Sequence, residues 1–384
     1  VSGKTWMSRG RRLLTLVALG SALTLVAGCA PRADASPAAG SARSSSAAST
    51  IDLAGYSTAE SGLSTYLDGE SYLRGVNLYT LQQQRMLPTD QVTPDSQGSY
   101  DFLAQDGVSI VRLAVPWQRL QPWQPGEDVR AALDAPVDPA YLDLLEEQVE
   151  RAGNAGIRVV LDLHNSCAFP WGTGVAPAGT IYCGGDLTVD DVLKVWRALS
   201  DRFEDDDRVA AYNLFNEPRG SLTGATAYFQ YTQAIVDELR QRGDAHAVWI
   251  DSILLSSFAH DAPVGAPIDD PQNAIVYSQH FYLHGGTRAD LLGRITTFAK
   301  WCSGHGVHCT MGELGWESGS SDEDRKSFEL AYRIADTYDL DVTYFAATSA
   351  GDPKGLIAYS AEPGSSTLSV RRPQASVIEA HPSR

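Results

Sequence analysis

A single closed (β/α)8 barrel is the fold class this sequence predicts, and three observations predict it. Short β-rich runs alternate with segments of helical period eight times between residues 72 and 380. The runs are dense in Val, Ile, Leu and aromatics without clean polar alternation, as strands buried on both faces are. Residues 69–384 leave about 316 positions for folding, room for a barrel of typically ~250 residues with loop insertions on top. The rival is an open, doubly wound sheet. That fold announces itself with a glycine-rich phosphate turn after strand one, and RGVNLYT (74–80) has none.

The eight strand runs are 73–78, 109–115, 157–164, 209–216, 246–251, 274–281, 308–312 and 341–345. Amphipathic patterns lie between them. Tyr141, Leu144, Leu145, Val149 and Ala152 share one helical face, as do Val192, Val195, Trp196, Leu199 and Phe203. Tyr228, Tyr231, Ile235 and Leu239 repeat the spacing. So do Leu291, Ile295, Phe298 and Cys302, and then Phe328, Ala331, Ala335 and Tyr338. Gly156 and Gly243 stand where helices should stop. The pattern is weak near 100–105 and weaker still after Asp251, and a last helix near 374–380 would close the ring. Strand-helix repetition of this kind means a parallel sheet.

The N-terminal part reads differently. Residues 1–28 carry Lys4, Arg9, Arg11 and Arg12 and no acid, followed by an apolar stretch over 13–26. That stretch is too short for a comfortable membrane span of ~20 residues, and a basic head with an apolar middle is a secretory signal. Val26-Ala27-Gly28 before Cys29 resembles a bacterial lipobox, which implies cleavage there and lipidation of Cys29. A simple secreted protein is the alternative. Residues 30–50 are mostly Ala, Ser, Pro, Gly and Thr, too poor in apolar surface to offset ordering entropy. The expected domains are therefore 1–28 signal, 29–68 lipidated Cys and linker, and 69–384 barrel. The destination is extracytoplasmic, on a lipid tether to the membrane or secreted, and the tether suits a monomer.

Four cysteines remain beyond Cys29: Cys167, Cys183, Cys302 and Cys309. Outside the cytoplasm they read as disulfides. Three connectivities are open, and short bracketed loops favour 167–183 with 302–309. A metal site is the rival, because His305 and His308 lie between the second pair. The formal charge is -17, with 47 Asp plus Glu against 30 Lys plus Arg. That balance argues against a phosphate-tracking nucleic-acid face and suits a neutral or cationic partner.

In a barrel of this class the C-terminal strand ends build the active site, and the polar residues gather there. Strand two carries Arg112 in VRLAVPW (111–117). Strand three ends in Asp162, His164 and Asn165, and strand four in NLFNEP (213–218), with Asn216 and Glu217. Strand six carries His280 and Tyr282 in YSQHFYLH (277–284), two apart and so on one side. Strand seven offers Glu313 in MGELGW (311–316). Strands four and seven face each other across the ring. Two carboxylates there invite acid and nucleophile work on a glycosidic bond, ~5–5.5 Å apart for retention and ~6.5–9.5 Å for inversion. An Arg beside Glu313 would keep it anionic, and that anion would raise the pKa of Glu217.

The series RGVNL, VRLAVPW, VVLDLHN, NLFNEP, His-x-Tyr and GELGW resembles glycoside hydrolase family 5, the cellulase-type retaining barrels, over roughly residues 72–316. Asn-Glu-Pro alone is a weak signal; with GELGW 96 residues later it is a strong one. The resemblance implies Glu217 as acid/base and Glu313 as nucleophile, the latter held by Arg112 and Tyr282. It implies Asn216 at the sugar 2-hydroxyl, His164 and His280 beside the scissile bond, and no metal or organic cofactor. The implied activity is retaining hydrolysis of a β-linked glycan, foremost an endo-β-1,4-glucanase. The alternatives are a β-mannanase, an exo-β-glucanase, or a non-catalytic glycan-binding surface lipoprotein.

One departure stands out. Such enzymes place a Trp near the end of strand eight as a sugar platform, whereas VTYFAATSAG (342–351) has only Tyr344 or Phe345 to offer. Trp117, Trp123, Trp171 and Trp316 follow strand ends, and Trp316 is taken as substrate-binding. Each could equally be core. Asp162 reads as structural. A metal-dependent barrel hydrolase built on Asp162, His164, His280 and Glu313 is a further rival, weakened by the lack of a His-x-His on strand one.

Overall fold

The computed structural model describes residues 62–172, 178–219, 222–252, 268–283, 286–351 and 355–384. The leader, Cys29, most of the expected linker and the weak helix after Asp251 lie outside these residues. Eight parallel strands close into a barrel: β1 (Arg74–Leu78), β2 (Ile110–Val115), β3 (Arg158–Leu163), β4 (Val209–Asn213), β5 (Ala247–Asp251), β6 (Ile275–Tyr282), β7 (His308–Gly315) and β8 (Asp341–Thr348). Each pairs with the next, and β8 pairs back onto β1 through Arg74↔Val342 to Leu78↔Ala347. The (β/α)8 fold is thus present.

The helices form where the apolar spacing predicts them, and their ends follow from side-chain chemistry. Pro139–Asn154 starts on Asp138 with Pro at its first turn, where a missing N–H costs nothing. Val189–Phe203 and Arg288–His305 open with reciprocal capping boxes, Thr188 with Asp191 and Thr287 with Asp290. Ala225–Arg242 ends on Gly243 at φ 93, a left-handed turn that suits glycine. Asp322–Thr337 completes this set. The weak first helix is real, over Gln97–Gln105, and the last is a short turn at Ala375–Ile378.

The barrel interior is stacked in two levels, and strand periodicity sets both. Ile110, Val160, Ala211, Trp249 and Val276 form an apolar lower level. Two residues further along the same faces stand Arg112, Asp162, Asn213, Asp251 and Ser278, all buried. The outer faces of the strands and the helices make the larger core. The lower level is closed by the helix Gly62–Leu67, whose Tyr66 is 1% exposed and meets Trp249 edge-on at 6.4 Å. Its hydroxyl donates to Asp341 Oδ2 at 2.6 Å, and Leu73 N–H donates to Asp341 Oδ1 at 2.7 Å. Gly62–Leu67, ahead of the expected start at Gly69, is therefore already packed against the barrel. The buried Tyr66 ring, worth roughly 1.5–3 kcal/mol, acts together with Leu63 and Leu67 and with the Arg158 guanidinium, which donates to the Thr65 and Tyr66 carbonyls.

Two β additions lie outside the sequence reading. A hairpin, Ala168–Trp171 with Gly179–Tyr182, follows β3, and its base is tied by Cys167–Cys183. Beyond β8, Tyr359–Ala361 pairs with the end of β8, and Leu368–Arg371 pairs antiparallel with it. Cys302–Cys309 is the second disulfide. The favoured connectivity is the one present, the metal reading of that pair falls, and two disulfides fit an oxidising compartment.

Asp95 is a buried carboxyl near the end of β8, accepting from Ser349 Oγ at 2.7 Å. Burial pushes it up to about 6, against the pull of the Ser349 and Thr80 hydroxyls and Arg151. A carboxyl whose folded pKa is raised contributes stability below its unfolded value and loses it as pH rises through about 6. Asp95→Asn should flatten that loss, making the variant more stable than the parent at pH 7 by on the order of 2–3 kcal/mol and equal to it near pH 3. Urea midpoints measured across this range test the difference.

Candidate active site

The C-terminal rim of the barrel gathers a charged network around Arg112, which is fully buried. Its Nε donates to Asn213 Oδ1 at 2.7 Å, and Nη1 donates to Asn77 Oδ1 at 2.7 Å and Glu313 Oε1 at 3.0 Å. Nη2 donates to Asn216 Oδ1 at 2.9 Å and lies 3.1 Å from Asp162 Oδ1 and 3.8 Å from Asp251 Oδ2. Burial alone would lower the pKa of this guanidinium, but Asp162, Asp251 and Glu313 together raise it.

Glu313 reaches this network because β7 contains a bulge. Gln279 pairs with Met311 and His280 with Glu313, so Gly312 is skipped. Without the extra residue Glu313 would share the outward face of Met311, which lies in the outer core. The bulge turns it inward. Gly312 is required there, since a Cβ would stand 2.3 Å from Ser278 Oγ and 3.2 Å from His280 Nε2. Gly315 likewise makes room for the Tyr282 ring, which a Cβ would meet at 2.6 Å. The Tyr282 hydroxyl donates to Glu313 Oε2, and burial with the Glu313 charge raises the tyrosine's pKa well above its ordinary value.

Glu217 sits just past β4 with φ 46, a left-handed conformation uncommon outside glycine. Its N–H donates to Asp251 Oδ2 at 3.0 Å, and its Oε1 lies 3.0 Å from His280 Nδ1. Glu217 is the more open of the two, with 31% of its side chain exposed against 5% for Glu313. The expectation of a raised Glu217 pKa is corrected. Burial does push it up, but the bond and charge of His280, with His164 further off, hold it below the usual glutamate range.

His164 Nδ1 lies 2.6 Å from Asp162 Oδ2, and its ring meets Tyr79 edge-on at 5.2 Å. Tyr79, whose hydroxyl is pushed up to about 12 by burial and by Glu313, also faces Phe345 at 5.0 Å. Of the two strand-eight aromatics, Phe345 stands beside Tyr282 at 6.3 Å. Tyr344 is fully buried, its hydroxyl 2.7 Å from the Leu356 carbonyl.

The structure therefore brings Arg112, His164, Asn216, Glu217, His280, Tyr282 and Glu313 to one rim. It does not bring Trp316. That indole is 4% exposed and stacks on Phe328 at 4.5 Å, so its assignment to substrate is withdrawn in favour of core packing. Trp117 is likewise fully buried. Sequence reading missed Asn77, Asn213 and Asp251. Each stands on the inward face of its strand two residues above the lower level, a signal that the known barrel ends could have supplied.

Glu217, His280 and Glu313 present atoms all within 4.8 Å of one another, a spacing that one cation could also span. Here the Glu313 oxygens are engaged by Arg112 and Tyr282, and the His280 ring by carboxylates. This donor set fits an ion-pair network better than a metal centre.

The family model described as Cellulase (glycosyl hydrolase family 5) matches residues 72–351. The chain belongs to that family. It is a glycoside hydrolase with the family's barrel. The Pseudomonas stutzeri endoglucanase Cel5A resembles it with a TM-score of 0.66 at 20% identity, over 80% of this chain and 93% of that one. Endo-glycoceramidase II from Rhodococcus sp. resembles it with a TM-score of 0.62 at 22% identity, over 80% and 78%. These likenesses concern the fold. A probable glucan 1,3-beta-glucosidase A of Neosartorya fischeri is 29% identical over 166 residues, 42% of this chain and 38% of the relative. The chain thus spans well under half of that glucosidase's length.

Replacing Arg112 with Ala should destabilise the fold by ~3–5 kcal/mol, because Asp162, Asp251 and Glu313 would be left buried together without the cation that offsets them. Arg112→Lys retains the charge but loses the fork and should fall between. Urea denaturation of both variants gives the comparison.

Proposed function

We propose that this hydrolase cleaves internal β-1,4 bonds of a glucan with retention of anomeric configuration, Glu313 acting as nucleophile and Glu217 as acid/base. The carrying observation is the approach of a Glu217 oxygen to within 4.8 Å of a Glu313 oxygen, on the short side of the spacing that separates retention from inversion. The surroundings divide the roles. Glu313 is buried between a permanent cation and a tyrosine hydroxyl, an environment for a charged attacking oxygen. Glu217 is more open and touches an imidazole through which protons can move.

In the first step a Glu313 oxygen attacks the anomeric carbon, and Glu217 gives its proton to the departing glycosidic oxygen. The Glu313 charge disappears into the ester. In the second, Glu217 takes a proton from water, whose oxygen displaces Glu313 and restores the starting anomer. Asn216, held through its Oδ1 by Arg112, can offer its amide N–H to the 2-hydroxyl as charge develops on the ring. His164, His280 and Tyr282 line the cleft. A β-glucan is supported by the Pseudomonas stutzeri endoglucanase, a structure of which holds cellobiose.

An exo-acting β-glucanase is the second reading. The fungal relative named a glucan 1,3-beta-glucosidase favours it, as does the disulfide-tied hairpin rising from the same rim after β3. We place the enzyme outside the cytoplasm as a monomer on a lipid tether at Cys29.

Proton NMR of fresh digests of cello-oligosaccharides should show the β-anomer first, with products from mid-chain cleavage. α-Anomer first would mean inversion, and glucose released singly from one end would favour the second reading. Glu217→Ala should slow unactivated substrates by ~10²–10⁴-fold and good leaving groups much less. Glu313→Ala should be inactive on both, azide restoring turnover only as an α-glycosyl azide.

A further inference from the structure

Asp251 ends β5 and is 2% exposed. Its Oδ2 accepts the Glu217 N–H at 3.0 Å and lies 3.2 Å from His280 Nε2, while Oδ1 accepts from Asn213 Nδ2 at 3.2 Å. One carboxylate therefore touches both the backbone of Glu217 and the imidazole that Glu217 uses. The left-handed φ of 46 at Glu217 is a strained conformation that persists only where neighbours over-determine it. Asp251 is the neighbour that receives its N–H.

The surroundings of His280 are equally constraining. Nδ1 lies 3.0 Å from Glu217 Oε1 and 3.5 Å from Glu313 Oε2, and Nε2 faces Asp251. A neutral imidazole has one donor and one acceptor nitrogen, so either tautomer would turn a lone pair toward a carboxylate. Only the cation puts an N–H on both sides, the Nε2 side being a charge contact with Asp251 at 3.2 Å rather than an aligned hydrogen bond. The other charged or titratable groups in this cluster are Arg112, which lies 3.0 Å from Glu313 and 3.8 Å from Asp251, Asp162, which faces Arg112 at 3.1 Å and His164 at 2.6 Å, and His164, Tyr79 and Tyr282.

We propose that Asp251 is a positioning residue that fixes the backbone of Glu217 and keeps His280 as imidazolium, so that the acid's proton is stored on His280 Nδ1. The inference rests on the retaining reading above for what the proton is used for. As the glycosidic bond breaks, the Nδ1–H bond of His280 breaks and an O–H bond forms at Glu217 Oε1; that O–H bond breaks in turn as the same proton goes to the leaving oxygen, and Glu217 is left a carboxylate. His280 is left neutral, its remaining proton on Nε2 toward Asp251. When water attacks the ester, Glu217 takes a proton from it and returns that proton to His280 Nδ1. Burial opposes the charge on His280, but Glu313 and Asp251 outweigh it and raise its pKa well above the ordinary value. Asp251 itself is held below the carboxylate range, burial being overcome by His280 and Arg112. The pair Glu217–His280 then titrates as a unit, which reconciles a low Glu217 pKa with an acid's role.

The test is a histidine side-chain NMR titration of the full chain, with His280→Gln to assign the signal, alongside pH–rate profiles on an aryl β-cellobioside. In the parent His280 should titrate at least one unit above ~6.5. Asp251→Asn keeps an acceptor for the Glu217 N–H and removes the charge. It should lower the His280 value by one unit or more, move the basic limb of kcat/KM down by the same amount, and reduce kcat more than it changes KM. Parental His280 titrating at or below ~6.5 overturns the proposal, even should Asp251→Asn fail to fold. So does a folded Asp251→Asn with an unmoved His280 and an unmoved basic limb. If no β-glycoside is cleaved by the parent while His280 behaves as stated, the Asp251–His280 coupling stands and the sugar-splitting reading falls.

Discussion

A guanidinium with no access to water holds the mouth of this barrel together. Arg112 rises from β2 and reaches side chains from β1, β3, β4, β5 and β7. Burying such a charge is unfavourable unless its donors and its field are both matched. The matching here uses amide oxygens where geometry matters and carboxylates where charge matters. Asn77, Asn213 and Asn216 fix its orientation, and Asp162, Asp251 and Glu313 balance it. The constraint also runs outward. Because Arg112 cannot give up its proton, Glu313 always meets a cation, and because Asn216 is pinned by it, the start of the loop carrying Glu217 is pinned as well.

The asymmetry between the two glutamates follows from where the chain departs from regular geometry. On β7 a bulge at Gly312 changes which face Glu313 occupies and brings it opposite His280. After β4 a left-handed residue aims Glu217 back over the same space. Neither departure is tolerable without partners, and both are met by groups that also carry charge. Stabilising the backbone and tuning the site are thus done by the same side chains.

Much of this was legible in the sequence because barrel strands obey a period of two and the polar residues stand at their ends. Arg112, Glu217, His280, Tyr282 and Glu313 could be read from motifs alone. Trp316 was placed with the substrate and belongs to the core, since a ring following a strand end is sugar platform or core depending on the helix it meets, and here it meets Phe328. Gly62–Leu67 escaped notice because it is too short and too polar to show a helical period, and its anchor is one tyrosine and a distant aspartate. Asp251 escaped because only its place at the end of β5 marks it; its partners come from β4, β6 and the turn at Glu217. The ionisation of Glu217 was misjudged because one neighbouring anion was weighed and the imidazole in contact was not.

The central claim is that Glu313, charged and held by Arg112, forms a bond to sugar. Incubation with a 2-deoxy-2-fluoro-β-cellobioside bearing a good leaving group, followed by peptide mass spectrometry, tests it most directly. The account predicts a single fluoro-sugar adduct on the peptide containing Glu313. An adduct on Glu217, or hydrolysis of the reagent with no adduct at any residue, would contradict it.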